Sequence, residues 1–159
     1  MRYWQDIETG ETFNTPRLTV TKEDILEFAA EFDPQPYHLD TDAASASIFG
    51  GLCASGWQVT ALMTRLLSET MQENNIATLG AAGVRKLRWK IPVFAGDELS
   101  ATLEVTGSGP SQNPGMGELE CHVVLSNQHS NPVIWTNITL LVQLRENQEN
   151  TDEAPHGHE

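Results

Sequence analysis

The most informative segment of the sequence for the fold is WQVTALMTRLLSETM, from Trp57 to Met71. Its apolar side chains recur every three to four residues, which predicts a helix, and they cover more than one face of it. A helix that is apolar on several faces needs other elements packed around much of its surface. We therefore expect a long central helix that the rest of the chain encloses.

Strands follow this helix. Apolar and polar residues alternate from Leu99 to Val105, from Leu119 to Leu125 and from Ile134 to Leu144, as in strands that bury one face. The stretch 107–117 is rich in Gly and Pro and predicts a flexible loop between two of the strands. One long helix and several amphipathic strands indicate an α+β domain whose antiparallel sheet curls around the helix.

The segment before the central helix predicts two shorter helices separated by a stiff loop. Thr21, with an acidic residue three positions later, is typical of a helix start, and helical spacing continues to Phe32. Two prolines within residues 33–40 predict an ordered, non-helical loop. We expect Thr41 to cap a short helix that reaches Ser47.

Length and charge narrow the classes of protein. With 159 residues, 39% of them hydrophobic, the chain has the size of one domain, which we expect to span residues 1–145. A formal net charge of -13 argues against nucleic acid or an anionic membrane as a partner, because both are bound mainly through Lys and Arg. No apolar stretch has the length of a membrane span and no signal-peptide pattern begins the chain, so we expect a cytoplasmic protein.

The cysteines and the end of the chain carry no sign of a metal site. Cys53 and Cys121 lack metal-ligand spacing, and we expect both to be buried small hydrophobic residues. The acidic segment 146–159 has few large apolar side chains and is expected to be disordered. Its two histidines, His156 and His158, would make only a weak metal site.

Asp33 and His38 are the residues whose chemistry indicates a function. Adding water across a C=C bond conjugated to a thioester needs a base, an acid, and hydrogen-bond donors for the thioester oxygen. An imidazole exchanges protons near pH 7 and a carboxylate is then an anion, so together they can hold and polarise one water molecule. On chemistry alone, the two residues are also consistent with hydrogen-bonded surface groups.

Gly56 is the candidate donor for the thioester oxygen. It directly precedes the central helix, where free backbone amides and the helix dipole favour an oxyanion. A glycine leaves room for close approach of a ligand, which a larger side chain would block. Taken alone, it could equally be an ordinary glycine at the start of a helix.

Taken together, these segments resemble a known family. FAAEFDPQPYHLD (28–40) and FGGLCASG (49–56) resemble the MaoC-like acyl dehydratases and R-specific enoyl-CoA hydratases, whose motif Asp-x-Asn-Pro-x-His is matched in spacing. Later, LRWKIPVFAGD (87–97) resembles the strand of that family that ends in Pro-Val and a Gly-Asp turn. The resemblance extends over about residues 12–144.

The resemblance implies a hotdog fold, which is a long helix wrapped by an antiparallel sheet. It also implies a homodimer in which the pantetheine arm of the substrate binds in a tunnel near the subunit interface. Asp33 and His38 would be the catalytic pair, and the Gly56 amide would be the oxyanion donor.

The chain departs from the family pattern at three places. Gln35 stands where the motif has Asn, Glu31-Phe32 replaces small residues, and Ser55 stands where many members have His before the glycine. We expect the first two changes to reshape the loop and the acyl pocket, and the third to alter how the thioester is oriented. Gln35 and Ser55 are therefore predicted to bind substrate.

Four of the nine basic residues lie close together, and we call them the basic cluster: Arg85, Lys86, Arg88 and Lys90. Coenzyme A carries several phosphate charges, and an acidic protein that binds it needs local cations, so the cluster is predicted to contact those phosphates. The alternative is a solvated strand face.

The sequence thus predicts a lyase without metal or cofactor that hydrates a 2-enoyl thioester or dehydrates a 3-hydroxyacyl thioester, with CoA present only as part of the substrate. One alternative is a hotdog thioesterase, although the carboxylate that such enzymes often carry on the central helix is represented only by Glu69, late in that helix. Another is a non-catalytic acyl-CoA-binding protein. The acyl chain, the choice between CoA and a carrier protein, the acid and base roles within the pair, and the assembly beyond a dimer stay open.

Overall fold

The structure is a computed structural model and describes residues 1–146. The histidine pair and nearly all of the acidic segment that was expected to be disordered lie outside the described residues. The described part begins with a 3-10 turn at Trp4–Asp6. Its further elements are β1 (Thr12–Asn14), β2 (Leu18–Thr19), α1 (Lys22–Phe32), α2 (Pro36–Leu39), α3 (Thr41–Ser45), α4 (Gly56–Glu73), β3 (Thr78–Trp89), β4 (Glu98–Pro110), β5 (Met116–Ser126) and β6 (Pro132–Gln143).

The strands form one antiparallel sheet in the order β1-β4-β5-β6-β3, and β2 pairs with β4 beside β1. Along β5 every second residue is buried, as the alternating pattern predicts. In register, Leu103 of β4 lies opposite Val123 of β5, which lies opposite Thr136 of β6. The buried face of these strands packs with the central helix, so the predicted α+β architecture is confirmed.

Helix α4 is the predicted central helix and extends one residue before and two residues beyond the predicted stretch. Its inner face, which includes Val59, Met63 and Leu66, belongs to the hydrophobic core. Its first turn is open on the other side, because Trp57 keeps 60% of its surface exposed. The described residues therefore enclose the helix less completely than its apolar composition predicted. No helix among residues 1–146 is both long and apolar enough to cross a membrane.

The predicted helix after Thr21 is confirmed as α1, and the Thr21 side chain accepts a hydrogen bond from the Asp24 amide. The prediction that residues 33–40 are non-helical is wrong, because α2 forms one helical turn there. Pro36 occupies the first turn, where a missing N–H costs nothing and the fixed φ suits a helix. The cap of the next helix was also misplaced: the Asp40 side chain, one residue before Thr41, accepts from the Asp42 amide.

The predicted flexible loop 107–117 is mostly strand. β4 continues to Pro110 and β5 begins at Met116, with Gly107 opposite Glu120 after a bulge in the register. The bulge absorbs the irregular backbone that the glycines permit, so pairing resumes beyond it. The turn between the two strands is therefore only residues 111–115.

Both cysteines are buried and free, as predicted. Cys121 is on the buried face of β5 and belongs to the core, where burial raises the pKa of its thiol to about 12. Cys53 lies in the segment that leads to α4 and forms an isolated bridge with Phe94.

Candidate active site

The turn between α1 and α2 brings Asp33 and His38 together. Asp33 is the C-cap of α1, and its backbone amide still donates to the carbonyl of Ala29. His38 lies in the single turn of α2, and its Nε2 atom is 3.5 Å from the Oδ2 atom of Asp33. A proline-started helical turn, which the sequence did not predict, is what directs the two side chains towards each other.

The imidazole of His38 is held in one orientation. The side chain is buried, and its Nδ1 atom lies 2.7 Å from the backbone carbonyl oxygen of Cys53. A carbonyl oxygen only accepts, so Nδ1 carries a hydrogen and donates it. Nε2 is therefore the atom available for proton exchange, and it is the atom that faces Asp33.

Ser55 lies behind the carboxylate of Asp33. Its hydroxyl donates to Oδ2 of Asp33 over 2.7 Å and accepts from the Trp57 amide at 3.3 Å. The residue is completely buried and is not among the residues that line the neighbouring cavity. Ser55 was predicted to bind substrate, but the structure places it against Asp33 instead.

Gly56 is the first residue of α4 and lies in the wall of the cavity. Among the described residues, nothing accepts a hydrogen bond from its amide, as is usual in the first turn of a helix. A Cβ atom at this position would come within 2.7 Å of the Trp89 ring, so only glycine fits without movement. The indole Nε1 of Trp89 donates to the Gly56 carbonyl at 2.8 Å and is also 3.1 Å from the Thr60 hydroxyl.

A cavity of about 350 Å³ opens over these residues. Asp33, His38 and Gly56 all contribute to its wall, and most of the remaining wall is apolar. Four aromatic side chains of that wall were not predicted as site residues, although each is close in sequence to a residue that was: Tyr37, Phe49, Trp57 and Trp89. A polar pair at the wall of a mainly apolar cavity is the usual form of a small-molecule site.

The other residues that were predicted to bind substrate do not lie together at the cavity. Gln35 is exposed and lies outside the cavity wall. Within the basic cluster, Arg85 forms an ion pair with Glu120 at 2.7 Å, and only Lys90 reaches the cavity wall. The ammonium of Lys90 lies 4.6 Å from the centre of the Trp135 ring. Lys86 and Arg88 are exposed on β3 and line no part of this cavity.

Cys53 also lies in the cavity wall, with its sulfur 3.8 Å from Nδ1 of His38. Burial raises the pKa of its thiol, so the neutral thiol predominates near pH 7 and Cys53 is a poor nucleophile there. Within residues 1–146, no three His, Cys, Asp or Glu side chains cluster as a metal site would require.

Comparison with known proteins shows the family of the chain. The model of the MaoC-like domain matches residues 6–125, which include the whole Asp33–Gly56 segment. The chain belongs to the MaoC-like family. The resemblance noted in the sequence is thereby confirmed.

Relatives of the MaoC-like chain cover most of its length. YdeM, an uncharacterized protein of Bacillus subtilis, is 33% identical over 135 residues, which cover 84% of this chain and 94% of YdeM. An (R)-specific enoyl-CoA hydratase of Rhodospirillum rubrum is 30% identical over 119 residues, 70% of this chain and 75% of the hydratase. The crystal structure of a MaoC-like dehydratase from R. rubrum has a TM-score of 0.82 and 36% identity, covering 91% of this chain and 99% of that one. The predicted hotdog fold is confirmed by such solved structures.

Proposed function

We propose that this MaoC-like protein adds water to 2-enoyl thioesters and, in reverse, dehydrates 3-hydroxyacyl thioesters. The observation that carries the proposal is the 3.5 Å separation of Asp33 Oδ2 and His38 Nε2 at the wall of a cavity that Gly56 also lines. The similarity to the (R)-specific enoyl-CoA hydratase of R. rubrum supports the same reaction class.

In this mechanism, one water molecule is held between Asp33 and His38. The pair removes a proton from the water, the oxygen forms a bond to C3 of the enoyl group, and the π electrons move towards the thioester carbonyl. A proton from the pair then reaches C2. One water molecule is consumed, the pair regains the proton it gave, and nothing is oxidised or reduced. The two groups are close enough to act as one acid–base unit.

The Gly56 amide is the proposed donor to the thioester oxygen as that oxygen gains negative charge. The amide is at the positive end of α4 and in the same cavity wall as the acid–base pair. Fixed donors of this kind typically contribute about 10²- to 10³-fold to the rate.

The arrangement favours hydration over thioester hydrolysis. A hotdog thioesterase would need a carboxylate of the central helix at the cavity, but Glu69 is exposed and forms an ion pair with Arg65 at 3.0 Å, and Glu73 is exposed at the last residue of the helix. Both lie outside the cavity wall, whereas Asp33 and His38 are part of it. We therefore assign the water to C3 of an enoyl group and not to the thioester carbon.

We propose acyl-CoA as the carrier form of the substrate, with CoA as part of the substrate and no separate cofactor. Lys90 is the member of the basic cluster that can contact a phosphate at the cavity, and no carboxylate among the described residues pairs with it. Trp57 and Trp89, both exposed, lie in the same wall and offer aromatic surface to the carrier arm.

We also propose that the protein acts as a homodimer joined along β3. This strand ends the described sheet, and three large apolar side chains on it are about half exposed: Leu79, Val84 and Trp89. A long apolar edge strand is a ready template for pairing with another chain.

Light scattering after gel filtration should give twice the chain mass for the wild type and one chain mass for Val84→Lys. Glu104→Lys, on an exposed position of β4, is the matched control and should stay dimeric; a monomeric wild type would contradict the assembly.

The reaction is tested by mixing the protein with crotonyl-CoA and following two signals, the absorbance of the conjugated enoyl thioester and the release of free thiol. The proposal predicts loss of absorbance without thiol. Release of thiol would indicate a thioesterase instead. If neither the absorbance nor the free thiol changes with short, medium or long enoyl chains, the protein is not a hydratase, and a binding protein is favoured.

A further inference from the structure

Ser55 connects the two halves of the site. Its hydroxyl forms the only hydrogen bond that the described residues make to the Asp33 carboxylate, at 2.7 Å. The neighbouring His38 Nε2, at 3.5 Å, is too far away for a strong direct hydrogen bond. Since Asp33 ends α1 and about a quarter of its side chain is exposed, little else restrains the carboxylate.

The same hydroxyl also fixes the start of α4. Ser55 is the N-cap residue of this helix, and its oxygen accepts from the Trp57 amide while its hydrogen is donated to Asp33. The proposed oxyanion donor, Gly56, lies in the chain directly between Ser55 and Trp57, the two ends of the capping hydrogen bond. One buried hydroxyl thus sets the position of the acid–base pair relative to the amide that faces the thioester oxygen.

We propose that Ser55 is a positioning residue that holds Asp33 in register with the Gly56 amide and does not touch the substrate. The inference rests on the proposed hydration reaction and assigns a role to the residue that precedes the oxyanion donor. Displacing a catalytic group by about 1 Å can lower the rate about 100-fold, and such a displacement affects turnover more than binding.

Two substitutions remove the hydroxyl but affect the helix differently. Ser55→Ala removes both hydrogen bonds and leaves a poor N-cap residue, whereas Ser55→Gly removes the hydroxyl but keeps a residue that caps helices well. We expect kcat with crotonyl-CoA to fall about 100-fold in both variants, with KM within about threefold of the wild type. Ser55→Thr, which retains a hydroxyl, should recover at least a tenth of the wild-type kcat.

Thr21→Ala is the matched control, because it removes an N-cap hydrogen bond from α1 without altering the contacts of Asp33. It should lower the melting temperature and leave kcat within about twofold of the wild type. If kcat instead follows the melting temperature across all four variants, Ser55 serves only as a helix cap and the inference fails. A Ser55→Gly variant with wild-type kcat, or one in which only KM rises, would also overturn it.

A crystal structure of Ser55→Gly separates this inference from the proposed reaction, because it requires no turnover. The inference expects the Asp33 carboxylate to rotate away from His38 and the distance between Oδ2 and Nε2 to exceed the 3.5 Å of the native chain. An unmoved carboxylate would refute the positioning role even if hydration is confirmed. Absence of hydration in the wild type would refute the reaction, while the rotation would still report on Ser55.

Discussion

Replacing Gly56 by alanine should damage both the stability and the activity of the protein. The added Cβ would be 2.7 to 2.9 Å from three atoms of the Trp89 ring, whereas ordinary contacts begin at about 3.4 Å. The rigid ring therefore has to retreat by about 0.7 Å or more, and its hydrogen bonds to the Gly56 carbonyl and the Thr60 hydroxyl lengthen or break.

The stability cost follows from those two hydrogen bonds. Each contributes about 1 kcal/mol net when fully formed, and less here because Trp89 is 43% exposed. A small gain in helix propensity from alanine offsets part of the loss. We expect the free energy of unfolding to fall by about 1 kcal/mol, which lowers Tm by roughly 2–4 °C for a chain of this size.

The effect on activity should be larger. Trp89 and Gly56 share the cavity wall, so a displaced ring narrows the path to the amide that is proposed to face the thioester oxygen. Loss of one such donor typically costs about 10²- to 10³-fold, and we expect kcat/KM with crotonyl-CoA to fall by about 100-fold. Gly51→Ala is the matched control, because its Cβ would meet Phe94 at an ordinary 3.5 Å. Wild-type kcat/KM in Gly56→Ala would refute the assignment of the oxyanion donor.

Three further experiments address the acid–base pair, the cation at the cavity wall and the two buried thiols. Asp33→Asn and His38→Gln should each lower hydration at least about 100-fold while circular dichroism and Tm show an intact fold, and wild-type rates in both would contradict the acid–base pair. Lys90→Ala should raise KM for crotonyl-CoA and reduce its dependence on salt, whereas Arg85→Ala, which removes a cation already paired with Glu120, should change neither; equal effects would reject the assignment of Lys90. Because burial raises the pKa of both cysteine thiols, to about 12 for Cys121, neither should react with a disulfide reagent at about pH 8 until denaturant is added; rapid reaction of the folded protein would show that they are accessible.

The sequence was sufficient to predict the elements with strong periodicity. The central helix and the alternating strands were predictable because each buries one face in the same continuous core. A single buried face gives the sequence a regular apolar pattern. The short edge strands β1 and β2 were not predicted, since three and two residues are too few to show a period. The strand pairing of Gly107 with Glu120 was missed because glycine indicates a turn in sequence, whereas here it accompanies a bulge.

The candidate site was predictable in its polar members and not in its walls. Asp33, His38 and Gly56 were found because the chemistry demands those residue types, and their convergence was expected from the family motif. Their precise relation depends on the helical turn of α2 and on the hydroxyl of Ser55, which are three-dimensional features. Arg85 and Lys90 also could not be told apart from sequence, because the partner that pairs with Arg85, Glu120, is distant in sequence.

The proposed reaction adds water to the C=C bond of a thioester at the Asp33–His38 pair. It is tested most directly by incubating the protein with crotonyl-CoA in water enriched in oxygen-18 and locating the label by mass spectrometry. For the wild type we expect label in the hydroxyl group of an intact 3-hydroxyacyl-CoA, and for His38→Gln at most about a hundredth as much labelled product in the same time. Label in a free carboxylate, or as much labelled product from His38→Gln as from the wild type, would refute the proposed reaction.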